Sequence, residues 1–76
     1  MRQVLTLKSG ARSVLEIIDD GHDGEIVTHY LEFKGGKKST MTCTCTCSGS
    51  GSVSKTCKTG SSPVCDCTGS APVLTC

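Results

Sequence analysis

Thr42-Cys43-Thr44-Cys45-Thr46-Cys47 is the most regular stretch of the chain, and its period is two. Successive side chains of an extended backbone point to opposite faces. The stretch therefore puts Cys43, Cys45 and Cys47 on one face and Thr42, Thr44 and Thr46 on the other. Sulfurs two residues apart on a strand lie too far apart to pair easily with each other. They can converge on one soft metal ion where the backbone curls.

Outward from this stretch the chain divides into two unlike parts. Residues 1–36 hold the large apolar side chains Val4, Leu5, Leu7, Val14, Leu15, Ile17, Ile18, Ile26, Val27, Tyr30, Leu31 and Phe33, but no cysteine and no proline. Residues 37–76 hold all seven cysteines, both prolines and sixteen Ser/Thr, with only Met41, Val53, Val64, Val73 and Leu74 as large apolar residues. Burial in the second part cannot offset the entropy of ordering it. Any order there has to come from covalent or metal cross-links.

The first part reads as strands. Arg2–Lys8 alternates, with Leu5 and Leu7 on one face and Thr6 and Lys8 on the other, and Ser9-Gly10 supplies a turn. Ser13–Asp20 and Glu25–Phe33 are rich in β-branched residues, and the Asp/Gly-dense run Asp19–Gly24 between them reads as a hairpin loop. A helix over Ala11–Asp19 competes, because Val14, Leu15 and Ile18 also fit a helical face. Gly35-Gly36-Lys37-Lys38 reads as a linker, and the Gly/Ser/Pro runs at Ser48–Gly51, Gly60–Pro63 and Gly69–Pro72 as flexible spacers. The fold class expected is small and β-rich: a three-stranded antiparallel meander over about residues 2–34, then a largely irregular Cys/Ser/Thr/Gly-rich segment.

Charge follows the same division. The first part carries four Lys/Arg against six Asp/Glu, and the second four Lys against Asp66 alone, for a chain total of +1. That balance, with no Arg after residue 36 and only Tyr30 and Phe33 as aromatics, argues against nucleic-acid binding. The apolar runs Val4–Leu7 and Val14–Ile18 are too short for a membrane span or a signal-peptide core, so cytoplasmic synthesis is expected. Thiols stay reduced there, and an odd number of cysteines cannot close a full disulfide set, so a plain disulfide scaffold is disfavoured. Repeated cysteines without a cleft-forming fold also disfavour an enzyme, since nucleophilic catalysis uses one positioned Cys beside a His. His22 lies in the turn cluster and His29 in a strand, both far in sequence from the thiols.

Two chemistries suit the thiols. In the first, Cys43, Cys45, Cys47, Cys57, Cys65, Cys67 and Cys76 are metal ligands, because thiolate-only sets favour Cu(I), Zn(II) or Fe–S clusters. The Cys-x-Cys spacing at 43–47, repeated at Cys65-Asp66-Cys67, resembles that of metallothioneins, a likeness confined to residues 43–67. In the second, hydroxyls are dehydrated and attacked by thiols to give thioethers, or Cys, Ser and Thr cyclise to azoles, and no cofactor is bound. Thr40/Cys43, Thr42/Cys45, Thr44/Cys47, Ser54/Cys57 and Ser62/Cys65 each place a hydroxyl three residues before a thiol.

The layout also resembles a ribosomally made precursor of a modified peptide, with residues 1–36 as leader and 37–76 as core. Gly35-Gly36 resembles a double-glycine leader-cleavage site, and Ser54–Gly60 and the C-terminal Cys76 resemble parts of lanthipeptide cores. The resemblance implies modification enzymes and a leader protease or exporter as partners, with Glu25–Phe33 docking by adding to an enzyme's sheet edge. It also implies export of the product. A third reading is a β-rich surface or filament subunit, in which the Thr/Cys ladder of residues 39–47 pairs between chains.

Overall fold

The computed structural model describes residues 1–19 and 24–76. Five strands, β1 (Arg2–Thr6), β2 (Arg12–Asp19), β3 (Gly24–Glu32), β4 (Met41–Cys47) and β5 (Gly51–Cys57), form one antiparallel sheet in chain order. A small hairpin of β6 (Val64–Asp66) and β7 (Val73–Thr75) completes the fold. Most of the expected hairpin loop at Asp19–Gly24, including His22, lies outside the described residues.

The β-rich class holds, with two corrections. The meander has five strands rather than three, because β4 and β5 from the segment after Gly36 are built into it, while residues 58–76 outside the short β6–β7 hairpin are irregular. The helical pattern at Ala11–Asp19 yields to strand because Val14 is flanked by Val4 on one side and Tyr30 on the other, side-chain pairs that only a sheet offers. The compositional boundary at Gly35-Gly36 coincides with the β3–β4 turn, and the sheet runs across it. Both glycines there have positive φ (93° and 89°), and the Gly36 amide donates to the Phe33 carbonyl at 3.1 Å. The spacer at Ser48–Gly51 is likewise a tight turn, closed by the Ser50 amide on the Cys47 carbonyl at 3.2 Å, with Gly49 at φ 76°. Gly in these positions adopts a backbone that L side chains rarely reach, so what composition marks as flexible is a set of defined turns.

The registers assign the two faces of the sheet. The front carries Val14, Ile26, Thr28, Tyr30, Met41, Cys43, Cys45, Cys47 and Cys57. The β6–β7 hairpin packs across this face over β3, β4 and β5. It contributes Cys65 and Leu74 to a core of Ile26, Met41, Cys43, Cys45, Cys47 and Cys57, against which Tyr30 and Cys67 also pack. The Lys55 ammonium donates to the Leu74 carbonyl at 3.1 Å and pins β7 to β5. The back carries Leu5, Leu15, Ile17, Val27, His29 and Leu31 on β1–β3, and Thr42, Thr44, Thr46, Ser52, Ser54 and Thr56 on β4–β5. The molecule is thin, 42 × 19 × 16 Å, and among the described residues no strand packs on the back.

Candidate thiolate centre

Alternation along β4 buries every odd position from Met41 to Cys47 and leaves Thr42 and Thr46 exposed and Thr44 half-buried. The reading of Thr42–Cys47 as a strand with thiols on one face is therefore how the chain folds. The partners of those thiols come from the short hairpin. Cys45 pairs with Cys65, Cys47 with Cys67 and Cys57 with Cys76, at Cα–Cα separations of 5.4, 5.6 and 5.7 Å. The disfavoured disulfide scaffold is thus corrected: six cysteines are joined, and the odd one, Cys43, is the free thiol. Each bridge links residues 19 or 20 apart, so none is the i, i+2 pairing that strand geometry opposes.

Two bridges lie side by side. The sulfurs of Cys45, Cys47, Cys65 and Cys67 all fall within 4.8 Å of one another, and those of Cys65 and Cys67 are 4.0 Å apart. A tetrahedral zinc thiolate with Zn–S near 2.3 Å needs sulfurs about 3.8 Å apart. Once both bridges are reduced, small side-chain rotations would bring the four thiolates to that spacing. Cys57, Cys76 and Cys43 stand outside this group, so of the seven candidate ligands four share one site.

Two charged side chains lie on the elements around these sulfurs, Lys55 on β5 and Asp66 on β6. Lys55 lies on the same face, with its ammonium on the carbonyl of Leu74, the residue opposite Cys65 in the hairpin. Asp66, between two of the cysteines, is fully exposed. Its carboxylate accepts from the Thr68 hydroxyl at 2.6 Å and the Thr68 amide at 2.9 Å, which hold it below the usual carboxylate range. Along β6 the exposed Asp66 alternates with the buried Cys65.

Cys43 is buried, and burial pushes its thiol upward from the ordinary range. A thiol that is both inaccessible and reluctant to ionise reacts poorly. Iodoacetamide at pH 8 should label native protein at Cys43 at least about 100-fold more slowly than free cysteine, with full labelling after denaturation. Peptide mass spectrometry reads this directly, and rapid native labelling would show that the β4 face opens.

The hydroxyl–thiol pairs are not brought together. Thr42/Cys45 and Thr44/Cys47 are three residues apart along β4, so the hydroxyls stand on the back while the thiols are buried on the front. Thr40, Ser54 and Ser62 are exposed, and Ser54 instead meets Thr44 across the strands at 3.0 Å. Glu25–Phe33, expected to dock at an enzyme's sheet edge, lies in β3 up to Glu32, which is paired with β2 over Glu25–Glu32 and with β4 over Gly24–His29. The edges of this sheet are β1 and β5.

One pair escaped the sequence reading. Ser13 Oγ and His29 Nε2 are 2.7 Å apart on the back face, in a shallow groove of about 440 Å³ lined also by Gln3, Val4, Leu5 and Leu15. The diagonal relation of residues 13 and 29 depends on the β2–β3 register, which no local pattern discloses. No family model matches the chain, and no match is found among curated proteins or solved structures.

Proposed function

We propose that the chain is a redox-responsive metal-thiolate module whose centre is Cys45, Cys47, Cys65 and Cys67. The observation that carries this reading is the convergence of two Cys-x-Cys pairs, one on β4 and one formed by Cys65 of β6 and Cys67 just after it, with all four sulfurs within 4.8 Å. Four thiolates and no other donor favour a single tetrahedral Zn(II), with Cu(I) as the competing soft ion. The oxidised state is the doubly bridged one. Passage between them balances with an external disulfide of the glutathione class. Two such disulfides accept four electrons, the four thiolates become Cys45–Cys65 and Cys47–Cys67, four small thiolates are released and take protons from water, and the ion leaves.

Titration of the fully reduced chain with Co(II) and then Zn(II) tests the reading. One equivalent should bind, giving sulfur-to-cobalt charge-transfer bands and tetrahedral d–d bands that Zn(II) then bleaches. Cys45→Ser or Cys67→Ser should weaken binding at least about 100-fold, whereas Cys57→Ser should leave stoichiometry and band shape unchanged. Absence of retained metal in native mass spectra after stoichiometric addition would overturn it.

A second reading, the modified-peptide precursor, is favoured by one observation: the Gly35-Gly36 turn is exposed and separates the cysteine-free strands from the cysteine-bearing ones. In that role modification precedes folding, since the target hydroxyls and thiols occupy opposite faces once β4 forms. The intact mass of the chain from its native producer separates the two. Losses of about 18 Da per site support the precursor, and an unmodified mass removes it.

A further inference from the structure

We infer that the back of the sheet is a dimer interface and that its occupant is a second, antiparallel copy of this chain. Leu5 is 66 % exposed, Phe33 45 % and Leu7 38 %, and beside them Leu15, Ile17, Val27 and Leu31 are only half-buried. A sheet with an apolar face is stable when that face is buried against another layer. The β6–β7 hairpin supplies such a layer on the front alone.

Two gradients on this face select the partner. Across the strands, the β1–β3 half is apolar and the β4–β5 half is lined by hydroxyls. Along the strands, the β2–β3 end carries Asp19 and Glu25, with the Met1 ammonium on the Ile17 carbonyl beside them, while the opposite end carries three cations, Lys8, Lys34 and Lys37, in its two turns. A two-fold axis lying between two such faces and perpendicular to their strands lays β1–β3 on β1–β3. The same operation sets the acidic end of each copy on the basic end of the other. A two-fold axis parallel to the strands would instead put apolar on hydroxyl and acid on acid. One symmetry operation thus satisfies both gradients and gives an aligned sandwich with sheets about 10 Å apart.

The area suffices. Five strands about 4.8 Å apart and about seven residues long give a face of roughly 550 Å² in projection. A pleated surface exposes more than its projection, which brings each partner into the range of about 800 Å² typical of specific interfaces. The groove at Ser13 and His29 lies within this face and would receive side chains of the second copy.

Sedimentation equilibrium of the oxidised full chain tests the inference. A dimer is expected at micromolar concentrations. Leu5→Glu, on an exposed edge-strand position, should shift the dissociation constant at least about tenfold while circular dichroism stays unchanged. Lys34→Glu should weaken the dimer, and adding Glu25→Lys to it should restore association, because the two ends exchange sign. A monomer at all concentrations up to about 1 mM would overturn the inference, as would a dimer indifferent to Leu5→Glu or a charge exchange that fails to restore. Monomeric protein that partitions onto phosphatidylcholine vesicles would overturn it in favour of a lipid surface.

Discussion

Reduction of the three disulfides in the presence of a chelator is expected to abolish the fold of residues 41–76 and to leave the rest of the sheet marginal. The bridges close loops of 19 or 20 residues, and a loop of that size contributes about 3 kcal/mol each by restricting the unfolded chain. The loops overlap, so the total falls short of three times that value but still rivals the roughly 4–11 kcal/mol of a whole domain this small. Little else can hold the segment: between β4 and the C-terminus the buried aliphatic side chains are Met41 and Leu74, and the remaining buried positions are cysteines. Amide hydrogen exchange should show β4–β7 losing protection first, with β2 and β3 following. Addition of one equivalent of Zn(II) to the reduced chain should restore protection around Cys45, Cys47, Cys65 and Cys67, because metal binding then supplies folding free energy. A reduced, metal-free chain that melts within a few degrees of the oxidised one would show that hydrogen bonding and the buried Ile26, Met41 and Leu74 suffice, and the cross-linking account would fail.

The residues that made the strands legible also explain what was missed. Period-two alternation at Thr42–Cys47 and the β-branched runs at Ser13–Asp20 and Glu25–Phe33 are local signals, and each became a strand. The burial that orders β4 is not local. Its thiols look solvent-bound until Cys65 and Cys67, twenty residues beyond their partners, and Leu74, farther still, arrive and cover them. Composition reads Ser48–Gly51 as a flexible spacer because Gly and Ser serve linkers and tight turns alike; only the pairing of Cys47 with Gly51 decides for the turn. The same holds for the site. Cys-x-Cys spacing pointed to a thiolate cluster, but seven cysteines offered no way to choose four, and the choice rests on which strand crosses which. The bridges themselves ran against the expectation drawn from an odd cysteine count, which the chain resolves by burying Cys43 unpaired.

Adjacent residues on β3 should respond very differently to truncation. Ile26 is 5 % exposed on the front face, between Ile18 and Cys45 in the register, and belongs to the core under the hairpin. Ile26→Ala removes three methyl or methylene groups from a site whose walls are fixed by cross-links, so the cavity cannot collapse. The expected loss is about 3 kcal/mol, within the range for such truncations and a large share of the total stability. Val27, one residue on, lies between Ile17 and Thr44 on the back face and is half-buried. In dilute monomer Val27→Ala should lose no more than about 1 kcal/mol, since the removed groups already meet solvent. Chemical denaturation of both variants in dilute solution provides the comparison. Repeating it at high concentration adds a second test, because burial of the back against another copy should enlarge the Val27 effect and leave that of Ile26 unchanged. Equal losses for the two variants in dilute solution would contradict the assignment of the faces, and with it the placement of every cysteine on β4.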